Sequence, residues 1–210
     1  MRRFAAPGSF VLVIVLAVVA FYMVNNRFQE KKKEMEEKTN FGNSSEKAQS
    51  FSDAEALLDE CDAVAAKAYS QCTMIEEVLN NVSGKVSSTV TDKFTKGENG
   101  SFLTADEALK LLFEDPDFAK AQEELNAKYD AVTAKFPTVL ASLENNVPLQ
   151  MALNQCADTL KELRNYAVNP VGGAFQYSGL WSGAKSRYMS LISTVRISLK
   201  NAEAINNFKK

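Results

Sequence analysis

The sequence predicts an all-α protein: one N-terminal transmembrane helix, then an antiparallel up-and-down bundle of about four long helices. Three observations carry that prediction. Phe10 to Val24 is an unbroken apolar run. From Leu58 onward apolar residues recur at spacings of three and four, which is the period of one helical face. No segment alternates apolar and polar residues with the period of two that a half-buried strand needs.

Composition narrows the chemistry. The 210 residues carry 24 Lys+Arg against 26 Asp+Glu, a formal charge of -2, and no histidine. A near-neutral, slightly acidic chain lacks the basic face of a nucleic-acid binder, so no nucleic acid is expected as partner. Without histidine there is no Ser-His or Cys-His catalysis, no imidazole base and no His-containing metal site. No enzyme, cofactor or metal is expected.

Taken in order, residues 1–26 read as a tail and membrane anchor. Phe4 to Ala6 and the run Phe10–Val24 together approach the ~20 residues that cross a hydrocarbon core. Tyr22 stands near the far end, where amphipathic aromatics prefer the interface. Residues 4–24 are therefore expected in a lipid bilayer. A cleaved signal peptide has a similar basic and apolar order, but Phe21 to Val24 continue the run past the small residues at Val18-Val19-Ala20. Arg2 and Arg3 precede the span and Arg27, Lys31, Lys32 and Lys33 follow it. A short basic tail is readily retained inside, and long domains translocate largely regardless of charge, so the C-terminal part is expected outside the cytoplasm.

Residues 27–50 read as a charged stalk and polar linker. Glu30/Glu34 and Lys33/Glu37 share helical faces, and Thr39 to Gln49 is small and polar. The bundle is expected over 51–210. Ser52 with Glu55 has the spacing of a capping box. Leu58, Cys61, Ala65, Ala68, Cys72, Ile75, Leu79, Val82 and Val86 then make a seam, widened by Leu57, Val64 and Val78. Gly84 is expected to weaken that helix locally without necessarily ending it. The same seam fits a coiled-coil homodimer, so an oligomer is compatible with the pattern.

Lys96 to Ser101 is a clear break. Thr104 and Glu107 make a second capping box, and Asp115-Pro116 starts the next helix with its face at Phe118, Ala121, Leu125, Tyr129, Val132 and Phe136. Pro137 ends or kinks it. Leu149, Leu153, Cys156, Leu160, Leu163 and Ala167 define another helix, and Ala184, Tyr188, Ile192, Val195, Leu199, Ala202 and Ile205 the last one. Between these two, 169–183 reads as a glycine-rich loop.

Few residues offer chemistry. Cys61 and Cys72 lie eleven positions apart on one helix, or ~16 Å along its axis, too far for a mutual disulfide. Cys156 is the candidate partner of either one; otherwise all three are buried thiols. Thr95 to Asp106 has the Asn99-Gly100-Ser101-Phe102 middle of a calcium loop but lacks the carboxylates of one, so a capped turn is expected. Phe175, Tyr177, Leu180 and Trp181 concentrate aromatics in the glycine-rich loop. They either cap the bundle end or form a partner-binding patch.

The layout, with a short tail, one span, Asn25-Asn26-Arg27-Phe28 at its exit and a helical bundle beyond, resembles that of LemA-type membrane proteins. That family's basic residue followed by Leu-Ile-Pro-Asn-Leu has no counterpart in Asp53 to Leu79. The resemblance is of layout only and implies a membrane-tethered sensor or ligand-binding helical domain. The residues themselves point first to a single-pass membrane protein acting as a structural or protein-interaction module, with another membrane or envelope protein as partner.

Overall fold

The computed structural model of the protein describes residues 48–143 and 146–208, all of which belong to one unit, Lys47–Lys210. Helix α1 runs through 48–84. It is followed by α2 (Asp92–Thr95), α3 (Ala105–Glu114), α4 (Pro116–Thr133), α5 (Phe136–Ser142), α6 (Val147–Val168) and α7 (Ala174–Phe208). Among the described residues there is no strand, only an isolated antiparallel bridge between Lys96 and Phe102.

Four of these helices form the bundle, and side-chain bonds between them fix its direction. Lys67 Nζ reaches Glu124 over 2.7 Å, Gln71 Nε2 donates to Ala121 O over 2.7 Å, and Lys135 Nζ reaches Glu60 over 2.6 Å. Rising numbers on α1 thus meet falling numbers on α4, so the two are antiparallel. Gln122 Nε2 to Ala167 O, at 2.6 Å, and Arg164 Nε to Asn126 Oδ1, at 2.8 Å, run α6 against α4. Tyr188 to Asp62 and Arg196 to Asp59 run α7 against α1. Helices α6 and α7 form a hairpin through 169–173. The order is up-down-up-down, with each helix beside its sequence neighbours and α7 closing on α1.

The seams fill the interior. Leu58, Cys61, Ala68, Cys72 and Ile75 of α1, Leu125 of α4, Leu153, Cys156, Leu160 and Leu163 of α6, and Ala184 and Val195 of α7 are all fully buried. Small residues at Ala65, Ala68, Cys61 and Cys72 let the other helices approach α1 closely. Burial of this apolar area is the main stabilising term, at roughly 25 cal/mol per Å².

Helix ends follow local chemistry. Thr104 Oγ1 accepts from Glu107 N, and Glu107 Oε2 accepts from Thr104 N over 2.9 Å, so the second capping box forms as read. Donation from Thr104 N, and then from its hydroxyl, holds the Glu107 carboxyl below its usual range. Asp115 accepts from Phe118 N, with Pro116 in the first turn of α4. Pro137 and Pro148 also sit in first turns, of α5 and α6, where the missing N–H leaves no bond unmade. The helix after Asp115 therefore ends at Thr133 and restarts at Phe136.

Several expectations need correction. The capping box at Ser52 and Glu55 does not form, because residues 48–51 are already helical and Gln49 Nε2 donates to Asp53 within that turn. The expected linker-to-bundle boundary at 50/51 thus falls inside α1. Gly84 is the last residue of α1, and Val86, placed on the seam, is half exposed. Ile205 is likewise exposed. Among the described residues no helix is long and apolar enough to cross a membrane. The expected span at 4–24, and residues 27–47 of the stalk and linker expected over 27–50, lie outside the described residues.

Candidate functional site

The largest departure from the sequence reading lies at the end of the bundle where α1 finishes and α7 begins. The expected loop over 169–183 is short, because helix resumes at Ala174. Phe175, Tyr177, Leu180 and Trp181 therefore occupy the first two turns of α7, and a helix separates their directions. Tyr177 is fully buried, Trp181 is buried, Leu180 is partly buried and Phe175 is 94% exposed. The four do not form one patch.

Trp181 and Tyr177 hold the end of the bundle together. Trp181 Nε1 donates to Glu76 Oε2 over 2.9 Å, and the Ser178 hydroxyl bonds the other oxygen of the same carboxylate. Lys185 lies 5.6 Å from the Trp181 ring centroid and 4.9 Å from that of Tyr69, close enough for cation–π attraction. Tyr177 donates to Tyr166 O of α6 over 3.0 Å and lies within reach of the Cys72 thiol. Burial, then the neighbouring Cys72 and Glu76, push its hydroxyl far above the ordinary tyrosine range. Such a phenol stays protonated and serves as a donor.

Phe175 has a different role. It stands at the lip of an open groove of about 800 Å³, whose walls include Asn80, Ser83 and Gly84 of α1 and Gln176 and Ser178 of α7. Gly172, with φ +84°, turns the chain into this helix and makes the tight corner. The groove lies at the opposite end of the bundle from residue 48, where the described chain enters.

The expected disulfide between Cys156 and Cys61 or Cys72 is not formed: all three cysteines are free and buried. Burial pushes Cys61 up to about 12, with the charges of Cys156, Asp62 and Glu60 adding to it. Cys72 and Cys156 rise to about 11, also mainly through burial. Thiols held protonated at neutral pH are poor nucleophiles and poor metal ligands. They pack as small apolar groups.

The turn over 97–101 is built from its own side chains. Asn99 Oδ1 accepts from Ser101 N and Oγ, Gly97 N donates to Ser101 O, and Gly100 takes φ +76°. Two groups escaped the sequence reading. Glu76 neighbours Ile75 in the seam and anchors two α7 residues, and Gln71 neighbours Cys72 and holds a backbone carbonyl of α4. A polar residue beside a seam position was the only available signal.

These features define a four-helix bundle with a tightly bonded end and one aromatic left outside. No protein-family model, curated protein or solved structure matches the chain.

Proposed function

We propose that the chain is a single-pass membrane-anchored helical-bundle protein, with residues 4–24 in the bilayer and the bundle outside the cytoplasm. It acts as a structural or protein-interaction module whose partner is another membrane or envelope protein. The observation that carries the reading is Phe175, 94% exposed beside an open groove at the bundle end far from residue 48. Aromatic residues are enriched in protein–protein interfaces, where they serve as anchors that fill pockets of the partner. The apolar run Phe10–Val24 supports the tether.

The test is site-specific photo-crosslinking on intact cells, with a benzophenone side chain at position 175 and a C-terminal tag. A discrete adduct at 175, absent with the probe on exposed Lys128, supports the reading. Equal labelling from both positions argues against it. A tag protected from external protease until the membrane is broken would overturn the orientation.

A further inference from the structure

On another face of the bundle, away from Phe175, a cleft of about 420 Å³ opens between α1, the residues around α2 and the α3–α4 junction. Its volume is in the range of small-molecule sites. Met74, Val90, Phe94, Leu112 and Phe118 supply an apolar lining. Gln71 also lines it, and is only 4% exposed. Its Nε2 is committed to Ala121 O, while its Oε1 is enclosed and has no hydrogen-bond partner. An acceptor in that position leaves a desolvation penalty uncompensated unless something donates to it.

The polar rim has a sign. Asp115 and Asp117 stand on it with Lys93. Lys93 is already occupied, 2.6 Å from Asp115 and 4.5 Å from the Phe94 ring centroid. Among the described residues no ion pair engages the Asp117 carboxylate. Two carboxylates against one ammonium leave the rim acidic by one charge, which repels anions and attracts cations.

We propose that this cleft binds a small organic amine with an aryl or branched-alkyl body. The body packs on Phe94, Phe118 and Met74, as an apolar pocket with few fixed polar groups requires. The ammonium lies toward Asp117 and donates to Gln71 Oε1. The terminal torsion of a glutamine is broad, so the carboxamide can turn this oxygen toward the cleft without moving the helix, a turn that releases Nε2 from Ala121 O. This site is independent of the groove at Phe175, and neither reading requires the other.

The experiment uses the full chain in lipid nanodiscs, with the Met74 methyl signal followed by carbon-13 NMR. Phenethylamine, phenethyl alcohol and phenylacetate share nearly one skeleton and differ in charge. The amine is expected to saturate the Met74 shift at a concentration about tenfold or more below the carboxylate, with the alcohol between them. Asp117→Asn, an exposed substitution that leaves the core intact, should bring the amine down to the alcohol. Gln71→Met should weaken amine and alcohol alike by several-fold. Equal binding of amine and carboxylate overturns the proposal, as does the lack of any saturable shift. If Gln71→Met raises the melting temperature and no probe binds, water alone meets the orphan oxygen and the proposal falls.

Discussion

Trp181 of α7 donates its indole proton to Glu76 of α1 across 105 positions of sequence, while Phe175, one and a half turns earlier, is left in solvent. The pair assigns opposite consequences to two aromatic truncations. Trp181→Ala removes a buried ring and leaves the Glu76 carboxylate short of one donor, and is expected to destabilise the bundle by about 3–5 kcal/mol. Phe175→Ala removes an exposed ring and should stay within about 0.5 kcal/mol of the parent. Denaturant unfolding followed by circular dichroism of both variants checks the contrast. Equal stability of the two would mean that Trp181 does not close the bundle end.

The C-terminus of α1 carries a built-in strain. Val86 N donates to Asn81 O over 2.9 Å and Lys85 N to Val82 O over 3.3 Å. Those two bonds make a Schellman motif in which Lys85, with φ 52°, takes the left-handed position that glycine favours. The chain's glycine sits one residue too early, at Gly84. Lys85→Gly should therefore stabilise the protein by about 0.5–1 kcal/mol, since it relieves the Cβ clash of that conformation. A raised denaturation midpoint with an unchanged slope is the expected reading, and a lowered midpoint contradicts it.

The same helix end shows how much was legible in the sequence. The seams were readable because burial imposes a period that propensity cannot hide, and the cysteines, leucines and alanines at three-four spacing are the interior. Thr104, Asp115 and their partners were readable because capping is local. The start of α7 was misread for the converse reason. Gly172, Gly173, Gly179 and Gly183 lower helix propensity, yet Tyr177, Trp181, Ala184 and Tyr188 keep the helical spacing and are all buried. Tertiary burial overrode a local disadvantage of about 1 kcal/mol per glycine. Gln71 and Glu76 were not legible as site residues, because their partners are α4 and α7 atoms that no local pattern identifies.

Three buried thiols predict an alkaline limit to stability. Folding raises Cys61 from 9.0 to about 12, and Cys72 and Cys156 from 9.0 to about 11. A group whose pKa is raised by folding binds its proton more tightly in the native state. Its contribution is complete below the unfolded value and is lost as pH rises toward the folded one. Stability should thus be flat with respect to these thiols below about pH 8, then fall by about 1.4 kcal/mol per pH unit for each thiol the unfolded chain ionises. Urea denaturation between about pH 7 and pH 11 measures the slope. Cys72→Ala should lower the starting stability but give a shallower fall, and an identical fall would show that Cys72 does not contribute.

Arg196 gathers the acidic side of α1. Its guanidinium lies 2.6 Å from Asp59 and 2.9 Å from Asp62, with Glu55 at 3.9 Å, and Tyr188 donates to Asp62 over 3.1 Å. The three carboxylates share one face of α1 at i, i+4 and i, i+3, so without the cation they repel one another. Each carboxylate is substantially exposed, which limits an individual pair to about 0.2–1 kcal/mol. As a network centred on one planar donor, the group should lose roughly 1–2 kcal/mol on Arg196→Met, which keeps most of the apolar stem. Because the loss is partly repulsion, added salt should shrink it, as screening at about 1 M shortens the electrostatic range to about 3 Å. Tyr188→Phe removes the one uncharged donor of the group. It removes one hydrogen bond to the Asp62 carboxylate, should lose about 1.5–3 kcal/mol, and, because the phenol carries no charge, should respond to salt far less. If the Arg196→Met loss is the same at low and high salt, the residue stabilises by packing alone and the electrostatic account is wrong.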